Sequence, residues 1–307
     1  MADISVKIAG IELGSCIFNA AGPKDVTLKE LEAIGASRSA AIAMKSCTKE
    51  PREGNEEPRY CALESGSINS MGLPNLGYKE YMKFPALLKS FGKPVIASVS
   101  GLCLEDNIQM LKAFSDSEVS AIELNLSCPN IKGKPQIGYD FVQMDEVLKE
   151  ALKISKKPAG VKLPPYFDFV HFEEAAGILK RRKPAFISCI NSIGNALVID
   201  AEKEATVIRP KGGFGGLGGK YIKYTALANV RKFYELIDIP IIGVGGVSSG
   251  RDAFEFILAG ASAVQIGTAF MEEGPSVFAR VQDELASFMA RKGYSRLDDF
   301  RGKLKVI

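Results

Sequence analysis

Ile239-Pro240-Ile241-Ile242-Gly243-Val244-Gly245-Gly246-Val247-Ser248-Ser249-Gly250 is the stretch whose reading decides the fold. A short apolar run ends in paired glycines, two serines follow, and the spacing then changes. Over 250–259, Ala253, Phe254, Ile257 and Leu258 share one helical face. A buried strand thus passes into an amphipathic helix through a glycine turn. The alternation recurs along the chain. Strands are expected at 17–20, 41–45, 95–99, 121–126, 159–163, 185–191, 239–244 and 263–267. Helices are expected at 28–35, 81–90, 105–115, 145–155, 169–182, 225–236, 250–259 and 275–291. Eight such units predict an α/β fold, a single (β/α)8 TIM barrel over 1–307, since the barrel takes ~250 residues before insertions. An open doubly wound sheet is the alternative. It usually carries an early G-x-G-x-x-G, and none follows the first strand.

Two segments are too long for plain connections: 50–78 after the second strand and 193–224 after the sixth. The second holds a small hairpin, 198–201 with 206–209, and then Gly212-Gly213-Phe214-Gly215-Gly216-Leu217-Gly218-Gly219. Both are expected at the carboxyl face of the barrel. Residues 6–13 read as an N-terminal hairpin closing the opposite end.

Composition narrows the functional classes. Hydrophobic content of 46% supports a sizeable core. The chain has 39 basic and 36 acidic residues, a net charge of +3. That balance argues against nucleic-acid and anionic-membrane partners. No apolar run is long enough to span a bilayer, and the start has no secretory h-region, so a cytoplasmic location is expected. The cysteines are scattered without a C-x-x-C pair and His171 is the only histidine, so no metal site is expected. Cys47, Cys61, Cys103 and Cys189 read as packing residues, and His171 and Arg59 as solvated.

In a barrel the active site lies at the carboxyl ends of the strands. Those ends read Ala20-Ala21-Gly22, Lys45-Ser46, Ser98 and Ser100, Asn125, Lys162, Asn191-Ser192, Gly245-Gly246 and Gly267-Thr268. Lys45 and Lys162 each close an apolar run. A lysine so placed either snorkels to solvent or needs a partner. The last two ends pair glycines with a following helix, the pattern of a barrel phosphate grip. Two lysines, several amides and a phosphate site fit flavin mononucleotide (FMN). They also allow a flavin-free barrel lyase working through a lysine Schiff base.

Cys128 lies in Asn125-Leu126-Ser127-Cys128-Pro129-Asn130. Pro129 cannot continue the strand ladder, so the thiol stands at a strand's carboxyl end between two asparagines. A buried structural cysteine and a proton-transfer group both fit this position.

Four segments carry a family resemblance. Asn125–Asn130 followed by Gly133-Lys134-Pro135-Gln136 resembles the catalytic loop of the dihydroorotate dehydrogenases. Ser67-Ile68-Asn69-Ser70-Met71-Gly72-Leu73-Pro74-Asn75, Lys162-Leu163-Pro164-Pro165-Tyr166-Phe167-Asp168 and Phe214–Gly219 resemble the same family, which covers essentially the whole chain. Residues 71–75 are most similar to class 1, type A. The resemblance implies a soluble homodimer holding FMN alone, with no iron–sulfur partner subunit. It implies oxidation of dihydroorotate to orotate and reduction of fumarate to succinate, in pyrimidine biosynthesis. It implies Cys128 as general base, with the hydride passing to flavin N5. Lys45, Asn69, Met71, Gly72, Leu73, Asn125, Asn130, Asn191 and Ser192 would line the orotate site. Ala21, Gly22, Lys45, Ser46, Asn125, Lys162, Ile190, Gly218, Gly245, Gly246, Gly267 and Thr268 would hold FMN. The loop 129–138 would be a lid. Lys24-Asp25 is assigned no role.

Overall fold

The computed structural model describes residues 2–127 and 136–307. Among them, eight parallel strands make one sheet: β1 (Ile17–Asn19), β2 (Ile42–Ala43), β3 (Val95–Val99), β4 (Ala121–Asn125), β5 (Ala159–Leu163), β6 (Ile187–Cys189), β7 (Ile241–Val244) and β8 (Ala263–Ile266). Ladders run β2–β3–β4–β5–β6–β7–β8–β1. All eight match expected strands. Most are shorter by one to four residues, because only residues paired across a ladder count as strand.

The eight strands close into the expected barrel, and a side chain stitches the seam. Asn19, fully buried on β1, donates from Nδ2 to the Ala43 carbonyl at 2.7 Å and accepts the Ala43 amide on Oδ1 at 2.9 Å. Its carboxamide takes the place of a neighbouring peptide, satisfying both backbone groups of Ala43 on β2. One backbone bond, from the Ala40 amide to the Ile17 carbonyl, joins it. Apolar side chains fill the barrel and the layer under the helices, as parallel strands covered on both faces require.

Four of the helices start at side-chain caps. The helix α1 (Leu28–Ala36) opens on a capping box of Thr27 and Glu30. Asp140 caps α4 (Phe141–Ile154), which begins four residues earlier than expected because the cap sets the start, not the first charged residue. Asp168 caps α5 (Phe169–Arg182), and Ser249 caps α7 (Gly250–Ala259). The α2 (Phe84–Leu88) helix is shorter than expected, with a separate single-turn α-helix at Tyr78–Tyr81 before it. The α3 (Leu104–Ser115), α6 (Lys223–Leu236) and α8 (Ser276–Arg291) helices complete the ring. Phe254 on α7 stacks on Phe300 at 4.3 Å between ring centres and pins the C-terminal segment.

The two long insertions pair with each other. Tyr60–Leu63, Gly66–Asn69, Phe214–Gly219 and Ile193–Leu197 form a four-stranded antiparallel sheet. The glycine run, expected as loop, is a strand over Phe214–Gly219. Its glycines answer to crowding: a Cβ on Gly216 would lie 2.4 Å from Ser192 Oγ, and one on Gly215 would lie 2.7 Å from the Asn69 carbonyl. The small hairpin forms as Ile199–Asp200 with Ala205–Thr206, shorter than expected. Val6–Ile8 and Ile11–Leu13 make the N-terminal hairpin, whose Ile8 and Leu13 join the core.

Asn19→Leu should remove the seam while leaving an apolar side chain of similar size. Each orphaned buried backbone group costs about 1–3 kcal/mol, so the loss should reach about 2–6 kcal/mol. Urea unfolding measures it. A loss below about 1 kcal/mol would show that the seam contributes little to closure.

Candidate active site

A cavity of about 450 Å³ opens at the carboxyl ends of the barrel strands, under the sheet made by the insertions. That volume is in the range of small-molecule and cofactor pockets, about 300–1,000 Å³. Every FMN-contact residue expected from the sequence lines it: Ala21, Gly22, Lys45, Ser46, Asn125, Lys162, Ile190, Gly218, Gly245, Gly246, Gly267 and Thr268. Of the substrate set, Lys45, Asn69, Met71, Leu73, Asn125, Asn191 and Ser192 line it as well. Cys128 and Asn130 lie outside the described residues, as does most of the expected lid.

Gly72 is not on the wall. It turns the chain at φ +75°, where a Cβ would lie 2.4 Å from Asn55 Oδ1. Its carbonyl accepts Arg52 Nε at 3.2 Å. It shapes the loop that presents Met71 and Leu73. Arg59, expected in solvent, donates to the Glu53 and Asn55 carbonyls, and Asn55 in turn donates to the Ser70 and Met71 carbonyls of that loop.

Both strand-end lysines are buried, Lys45 at 7% and Lys162 at 5% exposure. Neither snorkels. Lys162 Nζ donates to Gln265 Oε1 at 3.1 Å, a neutral partner on β8. Lys45 Nζ donates to the Gly22 carbonyl. Among the described residues neither forms an ion pair. An ammonium has three donors, so each lysine brings a positive charge and spare donors to the cavity. The sequence leaves Gln265 unremarked, because it sits inside an apolar run.

A chain of hydrogen bonds links the ends of several strands. Ser46 and Ser98 share a hydroxyl bond at 2.7 Å, and Asn125 Nδ2 donates to Ser46 Oγ at 3.2 Å. Asn125 Oδ1 accepts from Ser127 Oγ at 2.9 Å, and Asn191 Nδ2 donates to the same Ser127 oxygen at 2.8 Å. Ser127 thereby fixes the amide orientations of Asn125 and Asn191. Its position next to Cys128 hid this role in the sequence.

At the far end, Gly245 and Gly246 turn at φ +120° and +77°. Both need glycine, since a Cβ would meet Ala226 at 2.9 Å in one case and Lys223 at 2.7 Å in the other. Beneath them Lys223 Nζ bridges Asp252 at 2.5 Å and Glu255 at 2.6 Å. Asp252 in turn accepts the amide and hydroxyl of Ser248. The turn is thus braced from below while its backbone faces the cavity. Ser67, Tyr60, Lys220 and Glu272 also line the wall.

Two of the remaining thiols are poor nucleophile candidates. Burial pushes those of Cys47 and Cys189 far above their ordinary value. Cys103, expected as a packing residue, is exposed just before α3. His171 is half exposed and pairs with Asp168.

Asp25 is fully buried behind the wall. Its Oδ2 accepts the Gly22 amide at 2.6 Å, and its Oδ1 has no hydrogen-bond partner among the described residues. Burial raises its pKa from 3.8 to about 7, against the pull of Lys45 and the Gly22 amide.

Comparison with known proteins agrees with this geometry. The dihydroorotate dehydrogenase family model matches residues 3–289. The probable dihydroorotate dehydrogenase A (fumarate) of Enterococcus faecalis is 50% identical over 99% of both chains. The dihydroorotate dehydrogenase (fumarate) of Trypanosoma cruzi is 52% identical over 94% of both. The crystal structure of the Eimeria tenella enzyme, DHODH, with ferulenol shares the fold. Its TM-score is 0.84 at 20% identity, covering 98% of this chain and 88% of that one.

The Asp25 pKa makes a pH prediction. The folded chain holds this proton more tightly than the unfolded chain, so stability falls as pH rises from 3.8 to about 7. Asp25→Asn should lack that slope. It should match the wild type in acid and exceed it by roughly 1–4 kcal/mol above neutrality. Parallel unfolding profiles across that window would contradict it.

Proposed function

The chain belongs to the dihydroorotate dehydrogenase family, and from that premise we propose that it oxidises dihydroorotate to orotate, with FMN as resident cofactor and fumarate as the oxidant. The observation that carries this reading is one cavity lined by two buried lysines without carboxylate partners. Such a site fits a phosphorylated, electron-rich ring. Gly245, Gly246, Gly267 and Thr268 suit its phosphate end, and Lys162 with Gln265 suits the ring. Bound there, FMN would accept a hydride from dihydroorotate and pass the electrons on to fumarate.

The chain's own residues supply the rest. Asn125 and Asn191, oriented through Ser127, are suited to the amide edges of a planar pyrimidine. Asn69, Met71, Leu73 and Ser192 close the same end, Gly72 shapes the loop that presents Met71 and Leu73, and Asn130 would line the orotate site with them. Lys45 offers charge to the substrate carboxylate. Cys128 removes the proton from C5 of dihydroorotate. The segment 129–138 acts as a lid that shuts water out. Fumarate, a small dianion, is accommodated in the same place after orotate leaves.

We further propose that residues 1–307 act as one FMN-binding domain in a cytoplasmic homodimer, without an iron–sulfur subunit. Exposed Leu197, Ile199 and Phe214 on the second insertion provide apolar surface for a second copy. No helix among the described residues is long and apolar enough to cross a membrane.

The purified chain should turn over dihydroorotate with fumarate and without NAD, quinone or another subunit. Turnover that needs NAD and an added partner would overturn the choice of oxidant. Cys128→Ala should keep the flavin but lose its reduction by dihydroorotate, since a positioned base is worth ~10²–10⁴. Cys128→Ser should be weak at neutral pH and recover in base. Flavin reduction at wild-type speed in the alanine variant would remove Cys128 from the mechanism.

A further inference from the structure

Asp25 is fully buried with one carboxyl oxygen unpartnered among the described residues, and the site as described so far has no use for it. A buried carboxylate with an unpartnered oxygen is expensive and calls for an explanation. Its surroundings suggest one. Three hydrogen bonds close a ring through the cavity wall. The Gly22 amide donates to Asp25 Oδ2 at 2.6 Å, the Lys45 amide donates to the Asp25 carbonyl at 3.2 Å, and Lys45 Nζ donates to the Gly22 carbonyl. Gly22 and Lys45 both line the cavity, and Asp25 stands directly behind them. The ring fixes where the Lys45 ammonium points. It also places a carboxylate near that ammonium without pairing the two.

We propose that Asp25 is a positioning residue and counter-charge for Lys45, its carboxylate holding the Gly22 turn and, when ionised, weakening the pull of Lys45 on negative charge inside the cavity. This rests on the reading of the cavity as a flavin site. With Asp25 protonated, the pair presents one net positive charge to the cavity; with Asp25 ionised, it presents none. The charge available to a reduced cofactor or a carboxylate substrate then depends on one buried proton.

Other groups bear on that proton. Lys45 favours the ionised form, while Glu30 on α1 opposes it. The carboxylate of Glu30 is itself held by the Val26 and Thr27 amides. Tyr81, from the Tyr78–Tyr81 turn, and Cys47, after β2, are both pushed far up by burial and stay neutral. The balance leaves Asp25 titrating near neutrality, at about 7.

The test is the reduction potential of the bound flavin against pH, in wild type and in Asp25→Asn. Asparagine keeps an oxygen for the Gly22 amide and removes the charge. Above neutrality the variant's flavin should be easier to reduce than the wild type's. The gap should narrow as pH falls and vanish below about pH 5, where wild-type Asp25 is protonated too. Asp25→Ser, also neutral, gives the same readout should the asparagine variant fail to fold. No gap, a gap of constant size, or a gap of opposite sign would overturn the proposal and leave the flavin reading intact. A wild-type chain that binds no flavin would overturn both.

Discussion

A buried ammonium without an ion-pair partner is costly, and this protein places two of them at the ends of barrel strands. That constraint organises the site. Among the described residues, Lys162 Nζ meets only the neutral amide oxygen of Gln265, and Lys45 Nζ meets only a backbone carbonyl. Neither arrangement satisfies the three donors of an ammonium, so the cavity is electrostatically unfinished until an electron-rich group enters. Asp25 fits the same logic: a carboxylate near enough to offset the charge of Lys45 when ionised, without forming an ion pair with it. Pairing either lysine fully inside the protein would stabilise the empty fold and cost the site its affinity for negative charge.

Holding such groups in place requires a rigid frame. Closure of the barrel through the Asn19 carboxamide brings β1 and β2 together, and those strands deliver Gly22 and Lys45. The insertions then roof the cavity by pairing Gly66–Asn69 with Phe214–Gly219. Under the opposite end, the Lys223–Asp252–Glu255 group braces the glycine turn. Here the cation is paired twice, because its task is to fix backbone and not to attract a ligand. Three lysines, two buried and one partly buried, thus serve different ends, set by what surrounds them.

The barrel was legible because its strands are apolar runs and its helices keep a 3.6-residue period, as the Gly250–Ala259 stretch shows. The wall of the cavity was legible for the same reason: polar residues stand out at the ends of apolar strands. What escaped notice depends on distant pairing. Asn69 meets Gly216 across 147 residues, and a run of glycines carries no strand signal of its own. Asn19 and Gln265 looked like interruptions in apolar runs, and only geometry shows them as a seam and a lysine partner. Asp25 looked like a loop acid beside a loop lysine, and burial is what gives it meaning. Gly72, carried into the substrate set by its neighbours, serves as a turn.

The most direct test of a cavity built for a phosphorylated flavin is a titration of flavin-stripped protein with FMN and, separately, with riboflavin, followed by thermal unfolding. Mass action raises the unfolding temperature for any ligand that binds the folded state alone. The account predicts a marked rise that saturates with FMN, and a much smaller one with riboflavin, which lacks the phosphate for Gly245, Gly246, Gly267 and Thr268. Equal rises with both would contradict the phosphate grip, and no rise with either would contradict the flavin site itself.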